Sequence, residues 1–465
     1  MRDYVTYYDE REHIACTSRF VETRESIDRF NGALYGAIMA DAYAVGYEDK
    51  PNFKEYRIEK NYKVRKIARR QTFASNLLGG GRFHLKPGQV HYHSEWALVQ
   101  HHALLNRKEF DEEEVAMEYA LWARSNPPGM PDHIKRVLDV GDNCFDRKKF
   151  AKRMRRNAKN FNSNRVDIEV LIRQIPLAQM YRLSDIYTLM HLSERDTKLT
   201  HRHPMMIDAA KMFVIAIQML LIGRDVSTVM NSIHAISREL NIHPLVHYLI
   251  DICANSYQYD FKNLPEEYKD DQPENLEKFG FEFHCAFIAI HYGHSYNPLD
   301  SIERAIKRSE DSPSLRTSLT GALAGAFHGI SKLSGKWYVR MKRAPIRNRR
   351  VKALEFLRGE TGARLSHRLR LCSARHWLQQ SLRRQKMPIP EHFKIPYTFF
   401  NRDEQTYDDA EMPYPRNYVR YKFRPRYIRD DDDYAEPPPK PLIVHVYRTE
   451  RDKAYARGEG GKWNA

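Results

Sequence analysis

Residues 32–42 read GALYGAIMADA, and this stretch decides the fold. Its apolar residues at helical spacing are Leu34, Ile38 and Met39. The small residues between them allow a second helix to pack closely, and a similar stretch, GALAGAFHG, follows at residues 321–329. Helical periodicity also covers residues 95–105, 112–123, 206–222, 281–291, 301–309 and 319–330. Because no comparable strand-type alternation precedes about residue 395, we predict an all-α fold for residues 25–335.

The composition indicates a globular chain, since 42% of its 465 residues are apolar, enough for a sizeable core. The five cysteines are widely spaced and form no CxxC, so we expect neither a zinc ribbon nor a disulfide framework, but a reducing, intracellular compartment. No apolar segment follows the N-terminal MRDY, and we expect no secretory signal. The longest apolar run, residues 212–223, is too short to span a bilayer, so we predict no transmembrane segment.

The basic charge of the chain is concentrated in one region. The net charge is +16, and residues 336–386 contain sixteen Lys and Arg against two acidic residues, a local net of +14. Arginine pairs with phosphate, and the aromatic residues of this region could stack on bases, so we expect a polyanionic partner. RNA, anionic lipid and the acidic surfaces of other protein subunits all fit this composition. The candidate contacts are Arg343, Arg347, Arg349, Arg350, Arg383 and Arg384.

Changes in composition divide the chain into four parts. We predict an N-terminal extension over residues 1–26, a helical domain over 27–340, a basic helical extension over 341–387 and a Pro/Tyr-rich extended tail over 388–465. The C-terminal extension is expected to be largely irregular, with one strand candidate at Leu442 to Tyr447. Such a tail cannot bury a core of its own, and we expect it to order against a partner.

Four short motifs follow one another along the helical part. They are GALYGAIMADA with Glu48 shortly after, residues 88–98 with YALW at 119–122, LIRQIPLA at 171–178 with LTHRHP at 199–204, and GALAGAFHG at 321–329. In this order they resemble the GxLxGxxxGDAxGxxxE, GxWTDDT, MRxxPLA, LTHxxP and GAxxGAxxG elements of the ADP-ribosylglycohydrolase family. The resemblance covers roughly residues 27–340 and implies a helical bundle. The retained family positions are Asp41, Glu48, Arg173 and His201.

The resemblance also places the family's metal ligands. Enzymes of this family hold two divalent cations between helices, and paired metals position and activate the attacking water. The ligand motifs TDDT and GGDxDT fall on residues 91–94 and 310–315. The residues at these positions include His91, Tyr92, His93, Ser94, Ser312, Ser314 and Leu315. Because hard cations prefer carboxylate oxygens, and all four aspartates are replaced, we expect no metal, no cofactor and no catalytic residue. The family's Gly-Asn-Gly, which lies close to the ligand, falls on residues 167–169, where Asp167 and Glu169 would repel a pyrophosphate.

The leading hypothesis is therefore a catalytically inactive relative that acts as an architectural subunit of a large assembly. Inactive enzymes with basic extensions resemble subunits of mitochondrial ribosomes and of respiratory or ATP-synthase complexes, so a mitochondrial location is expected. His201 is interpreted as a helix-start residue beside a capping Thr200.

Two alternatives remain open. His91 and His93 form an HxH pair, and acidic residues lie in segments that the fold would bring together, namely Asp41, Glu48, Glu95 and Asp311. Zinc accepts imidazole nitrogens, so a hydrolase of ADP-ribosylated substrates with a remodelled metal site is one alternative. An independent RNA-binding protein is the other.

Overall fold

The computed structural model describes residues 19–48, 77–141, 149–255, 264, 272–293, 298–307, 313–384 and 442–445. The first helices are α1 Arg24–Ala44, α2 Tyr92–Arg107, α3 Glu112–Ala123, α4 Asp132–Leu138, α5 Phe150–Phe161, α6 Glu169–Arg173, α7 Ile175–Met180 and α8 Ile186–Thr197. The later ones are α9 Pro204–Leu221, α10 Val226–Glu239, α11 Pro244–Ala254, α12 Leu276–Gly293, α13 Pro298–Lys307, α14 Ser314–His328, α15 Gly335–Lys342 and α16 Gly359–Arg384. The predicted all-α fold is confirmed.

The two glycine-rich stretches lie side by side and form the axis of the domain, α1 against α14. A Cβ atom added at Gly32 would lie 2.0 Å from the backbone oxygen of Gly325, and one added at Gly36 would lie 2.1 Å from that of Gly321. The backbones therefore touch, and only glycine fits at these crossing points. This contact sets α1 and α14 in register and brings the C-terminal turn of α1 next to the N-terminal turn of α14.

The apolar helix α9 lies inside the domain. It is long and apolar enough to cross a membrane, with a mean hydropathy of 1.6, but 83% of it is buried against other parts of the chain. It packs on α8, α7 and α14. The absence of a polar face thus reflects burial on all sides.

The start of α9 differs from the prediction. His203 is the N-cap, its Nδ1 accepting from the backbone N–H of Met205 at 3.2 Å, and Pro204 occupies the first turn. Thr200 does not cap this helix, because its Oγ1 accepts a hydrogen bond from the Arg173 guanidinium at 2.7 Å. Proline is favoured at the first helical position, so the helix begins after His203.

The basic region packs onto the domain through its aromatic side chains. Trp337 stacks on Tyr43 of α1 with ring centroids 4.3 Å apart, and Tyr338 contacts Tyr35 edge-on at 5.4 Å. Phe356 lies in a short 3-10 helix, Lys352–Leu357, against α2. The buried aromatic residues of this region are Trp337, Tyr338, Phe356 and Trp377. The expectation that they stack on nucleic-acid bases is wrong, because they belong to the hydrophobic core.

Two short strands accompany the helices. β1, Arg19–Glu22, pairs antiparallel with β2, Leu442–His445. The strand predicted near residue 442 is confirmed, and its partner is another segment of the same chain. The three cysteines within the described part, Cys253, Cys285 and Cys372, are buried and form no disulfide there.

Candidate functional site

The ends of three helices converge on the carboxylate of Asp41, near the C-terminus of α1. The backbone N–H of His91 donates to Oδ2 of Asp41 at 2.9 Å, and the imidazole Nδ1 of His91 lies 2.7 Å from Oδ1. The hydroxyl of Ser94 donates to Oδ2 at 2.6 Å, and that of Ser314 donates to Oδ1 at 2.7 Å. Both oxygens of Asp41 are therefore occupied by donors from the starts of α2 and α14.

Two further side chains complete this group, the Asp41 cluster, whose members are Asp41, Glu48, His91, His93, Ser94 and Ser314. Nε2 of His93 lies 3.4 Å from Oδ2 of Asp41, and Nε2 of His91 lies 3.1 Å from Oε1 of Glu48. The two imidazole rings stack with centroids 5.6 Å apart. The resemblance placed His91, His93 and Ser314 at the family's metal-ligand positions, and the structure brings them together around Asp41.

The charges within the Asp41 cluster partly offset one another. Burial alone lowers the pKa of His91, but the carboxylates of Asp41 and Glu48 outweigh it and raise that pKa to about 9. Burial alone raises the pKa of Asp41, yet His93 and His91 hold it well below its usual range. At neutral pH the cluster thus contains an imidazolium beside a carboxylate, with no side chain more than 4% exposed.

The donors present do not fit the pair of hard cations that the family implies. In the described part of the chain they are one saturated aspartate, one glutamate, two imidazoles and two hydroxyls, whereas such cations need several carboxylate oxygens. Ser312 and Asp311 lie outside the described residues. Leu315 packs against the hydrophobic core.

Glu95 is not part of this cluster, so its suggested role as a replacement ligand is wrong. Its Oε1 and Oε2 accept from Nε and Nη2 of Arg347, each at 2.8 Å, and Oε2 also accepts from the indole N–H of Trp122 at 2.9 Å. Arg347 further donates to the backbone oxygen of Ser125 at 2.8 Å. The Arg347 guanidinium, a candidate polyanion contact, is thus bound within the domain.

A second group of titratable side chains surrounds Asp167, just before α6. Nε2 of His201 and Nε2 of His133 lie 2.9 and 3.0 Å from Oδ2 of Asp167, and Nε of Arg165 donates to the same oxygen at 2.9 Å. The amide of Asn275 donates to Oδ1 at 2.8 Å. We call these residues the Asp167 cluster. The family-matching His201 is therefore fixed by Asp167, and His133 is a member that sequence reasoning missed.

Two buried glutamates lie close to the Asp167 cluster. The Tyr92 hydroxyl donates to Oε1 of Glu169 at 2.8 Å, and burial raises the pKa of Glu169. Burial, together with the negative charges of Glu169 and Asp167, raises the pKa of Glu282 on α12 to about 8. Sequence reasoning also missed Glu282, although a single acid in the apolar stretch FEFHCAFIAI was the available signal.

Arg173, a retained family position, is a buried structural residue. Its Nε and Nη2 donate to Oδ2 and the backbone oxygen of Asp196, each at 2.9 Å, and its guanidinium lies 4.4 Å from the ring centroid of Trp96. Tyr119 donates to the other carboxylate oxygen of Asp196 at 2.8 Å. Arg173 therefore joins α6, α8 and α2 beneath the two clusters.

The remaining candidate polyanion contacts divide into two groups. Arg343, Arg349 and Arg350 are exposed on the turn that follows α15. Arg383 and Arg384 belong to the last turn of α16, and their side chains lie outside the described part.

Comparisons with known proteins identify the family of the chain. The model of the family "ADP-ribosylglycohydrolase" matches residues 22–367. A protein of Acanthamoeba polyphaga mimivirus that is named as an ADP-ribosyl glycohydrolase is 22% identical over 305 residues, which are 64% of this chain and 87% of that protein. A solved structure described as an "ADP-ribosylglycohydrolase-related protein complex" shares the fold, with a TM-score of 0.52 and 19% identity over 75% of this chain and 99% of its own. The chain belongs to the ADP-ribosylglycohydrolase family.

Proposed function

We propose that this chain is a catalytically inactive member of its family and acts as an architectural subunit of a large multi-subunit assembly. One observation carries the proposal: the Asp41 cluster supplies its own positive charge. The imidazolium of His91 lies where a cation would otherwise neutralise the Asp41 carboxylate, and two serine hydroxyls occupy the remaining acceptor positions.

Metal binding at this cluster would have to displace those donors. Hydrogen bonds to a charged group contribute about 1.5–3 kcal/mol each, so a cation would lose much of its binding energy in replacing them. This feature supports a chain without hydrolase activity.

The assembly role is supported by the surface charge of the basic region. Arg343, Arg349 and Arg350 are exposed together, while the aromatic residues Trp337 and Phe356 on either side of them in the sequence anchor the region to the core. An anchored basic surface suits contact with RNA, anionic lipid or an acidic subunit. A mitochondrial location, in a ribosome or a respiratory or ATP-synthase complex, is part of the same proposal and is supported by the likeness to basic-tailed inactive enzymes.

The activity part of the proposal is tested with purified full-length protein and an ADP-ribosylated peptide. We expect no release of ADP-ribose with Mg²⁺, Mn²⁺ or Zn²⁺, under conditions in which an active family member releases it. Release that disappears in Asp41→Asn would contradict the proposal.

The assembly part is tested by purification from the source cells. We expect the chain to migrate in a complex far larger than 55 kDa and to co-purify with mitochondrial subunits. A monomer without stable partners would exclude the architectural role.

A second candidate is a hydrolase with a remodelled metal site. It is favoured by the convergence of Asp41, His91 and His93, whose ligand atoms all lie within 4.8 Å of one another. Zinc-dependent release of ADP-ribose that is lost in His93→Asn would establish it in place of inactivity.

A further inference from the structure

We propose that His133, Asp167 and His201 form a mononuclear transition-metal site for which Zn²⁺ is the best-fitting ion. This site is separate from the Asp41 cluster and does not depend on whether the chain is active. His133 comes from α4, Asp167 from the segment before α6 and His201 from the loop before α9. A bound ion would join three segments that lie far apart in the sequence.

The distances between ligand atoms fit one small cation. Both Nε2 atoms lie 2.9–3.0 Å from Oδ2 of Asp167, and the three ligand atoms lie within 4.8 Å of one another. Zinc bonds to nitrogen and oxygen are about 2.0–2.2 Å long, which in a tetrahedral site puts neighbouring ligand atoms roughly 3.3–3.6 Å apart. Each imidazole nitrogen therefore has to move about 0.3–0.7 Å away from Oδ2 of Asp167 when an ion binds.

One contact in the cluster is poorly aligned for a hydrogen bond. Nε2 of His133 is buried and lies 3.0 Å from Oδ2 of Asp167, but it forms no aligned hydrogen bond with that oxygen. The same oxygen already contacts Nε2 of His201 and Nε of Arg165. A divalent cation between the two atoms converts this contact into two coordinate bonds.

The surroundings orient the ligands as the outer shell of a metal site does. Nδ1 of His201 lies 3.0 Å from Oγ1 of Thr200, which itself accepts from Arg173, and the amide of Asn275 fixes Oδ1 of Asp167. Such partners set the orientation of the ligand atoms. His133 is 20% exposed whereas His201 is fully buried, so an ion can enter past the imidazole of His133.

The chemistry of the ligands selects the class of ion. Two imidazoles and one carboxylate suit Zn²⁺ and other late transition metals, whereas Mg²⁺ and Ca²⁺ prefer oxygen ligands. Arg165 is the competing cation, since its Nε donates to the same Oδ2. Its Nη1 already contacts Glu274 at 3.2 Å, so the guanidinium can retain that partner when an ion takes the Oδ2 position.

The test is a zinc titration of the full-length chain after chelation, followed by calorimetry and metal analysis. We expect one zinc ion per chain and a higher Tm with zinc. In His133→Asn we expect the zinc affinity to fall by a factor of about 100 or more. The matched control is His234→Asn, which removes another histidine that lies 2.9 Å from an aspartate, Asp251, and should leave zinc affinity unchanged.

His93→Asn separates this site from the Asp41 cluster. Zinc binding that survives His133→Asn but is lost in His93→Asn would overturn the proposal and would favour the remodelled hydrolase. The absence of stoichiometric zinc in the wild-type protein would also overturn it. X-ray absorption of the zinc-loaded wild-type chain provides a readout that needs no variant. We expect two imidazole nitrogens among the zinc ligands. Ligation by sulfur, or by oxygen alone, would contradict the site. Hydrolase activity has no bearing on these outcomes.

Discussion

Each of two buried clusters in this chain contains one aspartate and two histidines. The two clusters differ in the groups that compensate the charge of the aspartate. In the Asp41 cluster both carboxylate oxygens are held by a backbone N–H and serine hydroxyls as well as by imidazole. In the Asp167 cluster no hydroxyl of the described residues contacts the carboxylate, and one oxygen faces two imidazole nitrogens and a guanidinium. The first is a saturated ion pair, and the second resembles a coordination shell.

The protonation of the histidines follows the same division. Asp41 and Glu48 raise the pKa of His91 to about 9, which makes it a cation at neutral pH. Burial lowers the pKa of His201 in spite of Asp167. The comparison shows that the pKa of an imidazole beside an aspartate is raised in one cluster and lowered in the other, according to the burial and the charges around it.

The largest expected effect comes from breaking the Asp41 cluster. Asp41→Asn leaves the His91 imidazolium buried without its carboxylate, and we expect a loss of about 3–5 kcal/mol in the free energy of unfolding, measured with urea. The control is Asp251→Asn, which breaks a partly exposed histidine–aspartate contact and should cost less than ~1 kcal/mol. Equal losses in the two variants would show that Asp41 does not hold a buried charge pair.

A smaller effect concerns the dependence of stability on pH. Because the folded-state pKa of His91 is about 9 and its ordinary value is 6.5, the folded chain holds a proton that the unfolded chain releases between these pH values. This contribution is complete below pH 6.5, and it is lost as pH rises to about 9. We expect it to reach roughly 3 kcal/mol.

His91→Gln should make the stability profile less steep between pH 6.5 and 9, whereas a variant of the exposed His191, His191→Gln, should leave the slope unchanged. If the full wild-type slope persists in His91→Gln, then His91 does not titrate in this window.

Glu282, beside the second cluster, gives a pH-dependent effect on stability. Burial and the charges of Glu169 and Asp167 raise its pKa from 4.5 to about 8, so stability falls as pH rises through this range. Glu282→Gln removes the titrating group and keeps its shape, and we expect a gain of up to ~4 kcal/mol at pH 8 with little change at pH 4.5. Glu277→Gln on the same helix is the control, and a pH-independent effect of Glu282→Gln would contradict the assignment.

Much of the helical frame could be predicted from sequence because its signals are local. The period of apolar residues predicted α3, Glu112–Ala123, with its observed bounds, and the small residues of α1 predicted close packing with another helix but not that α14 is its partner. The meeting of His91, His93 and Ser314 at Asp41 was not contained in any local pattern. It followed from the resemblance to the family, which carries tertiary information.

The remaining features depend on contacts between distant segments. His133 and Glu282 stand in stretches with no chemical motif, and only tertiary packing brings them near Asp167. From the sequence, Trp337 and Phe356 are interpreted as available for stacking on a partner, because the many charged residues around them make the apolar face of this segment difficult to recognise from composition. Long arginine side chains extend past such a face to reach solvent or a partner, so composition does not reveal which side is buried.

The smallest effect on stability is expected for the exposed arginines of the basic region, which differ from Arg347 in the same region. Arg347 is held by Glu95, whereas Arg343, Arg349 and Arg350 are exposed. Replacing these three exposed residues by Glu should change the free energy of unfolding by no more than ~0.5 kcal/mol. Binding of single-stranded poly(U) RNA, if these residues contact it, should weaken, and the slope of log affinity against log salt should fall by about 2.

The comparison needs a control of equal charge, because a protein with a net charge of +16 attracts RNA at any surface. The triple change Lys152→Glu, Arg156→Glu and Lys159→Glu reverses the same number of charges on exposed positions of α5. If RNA contacts the turn after α15, then replacing the three arginines of that turn should reduce RNA affinity more than replacing the three residues of α5. Equal losses would assign the binding to net charge, and unchanged affinity in both would leave acidic protein surfaces as the partner that the exposed arginines fit. Deletion of residues 336–386 cannot serve this purpose, since it would also remove Trp337 and Phe356 from the core.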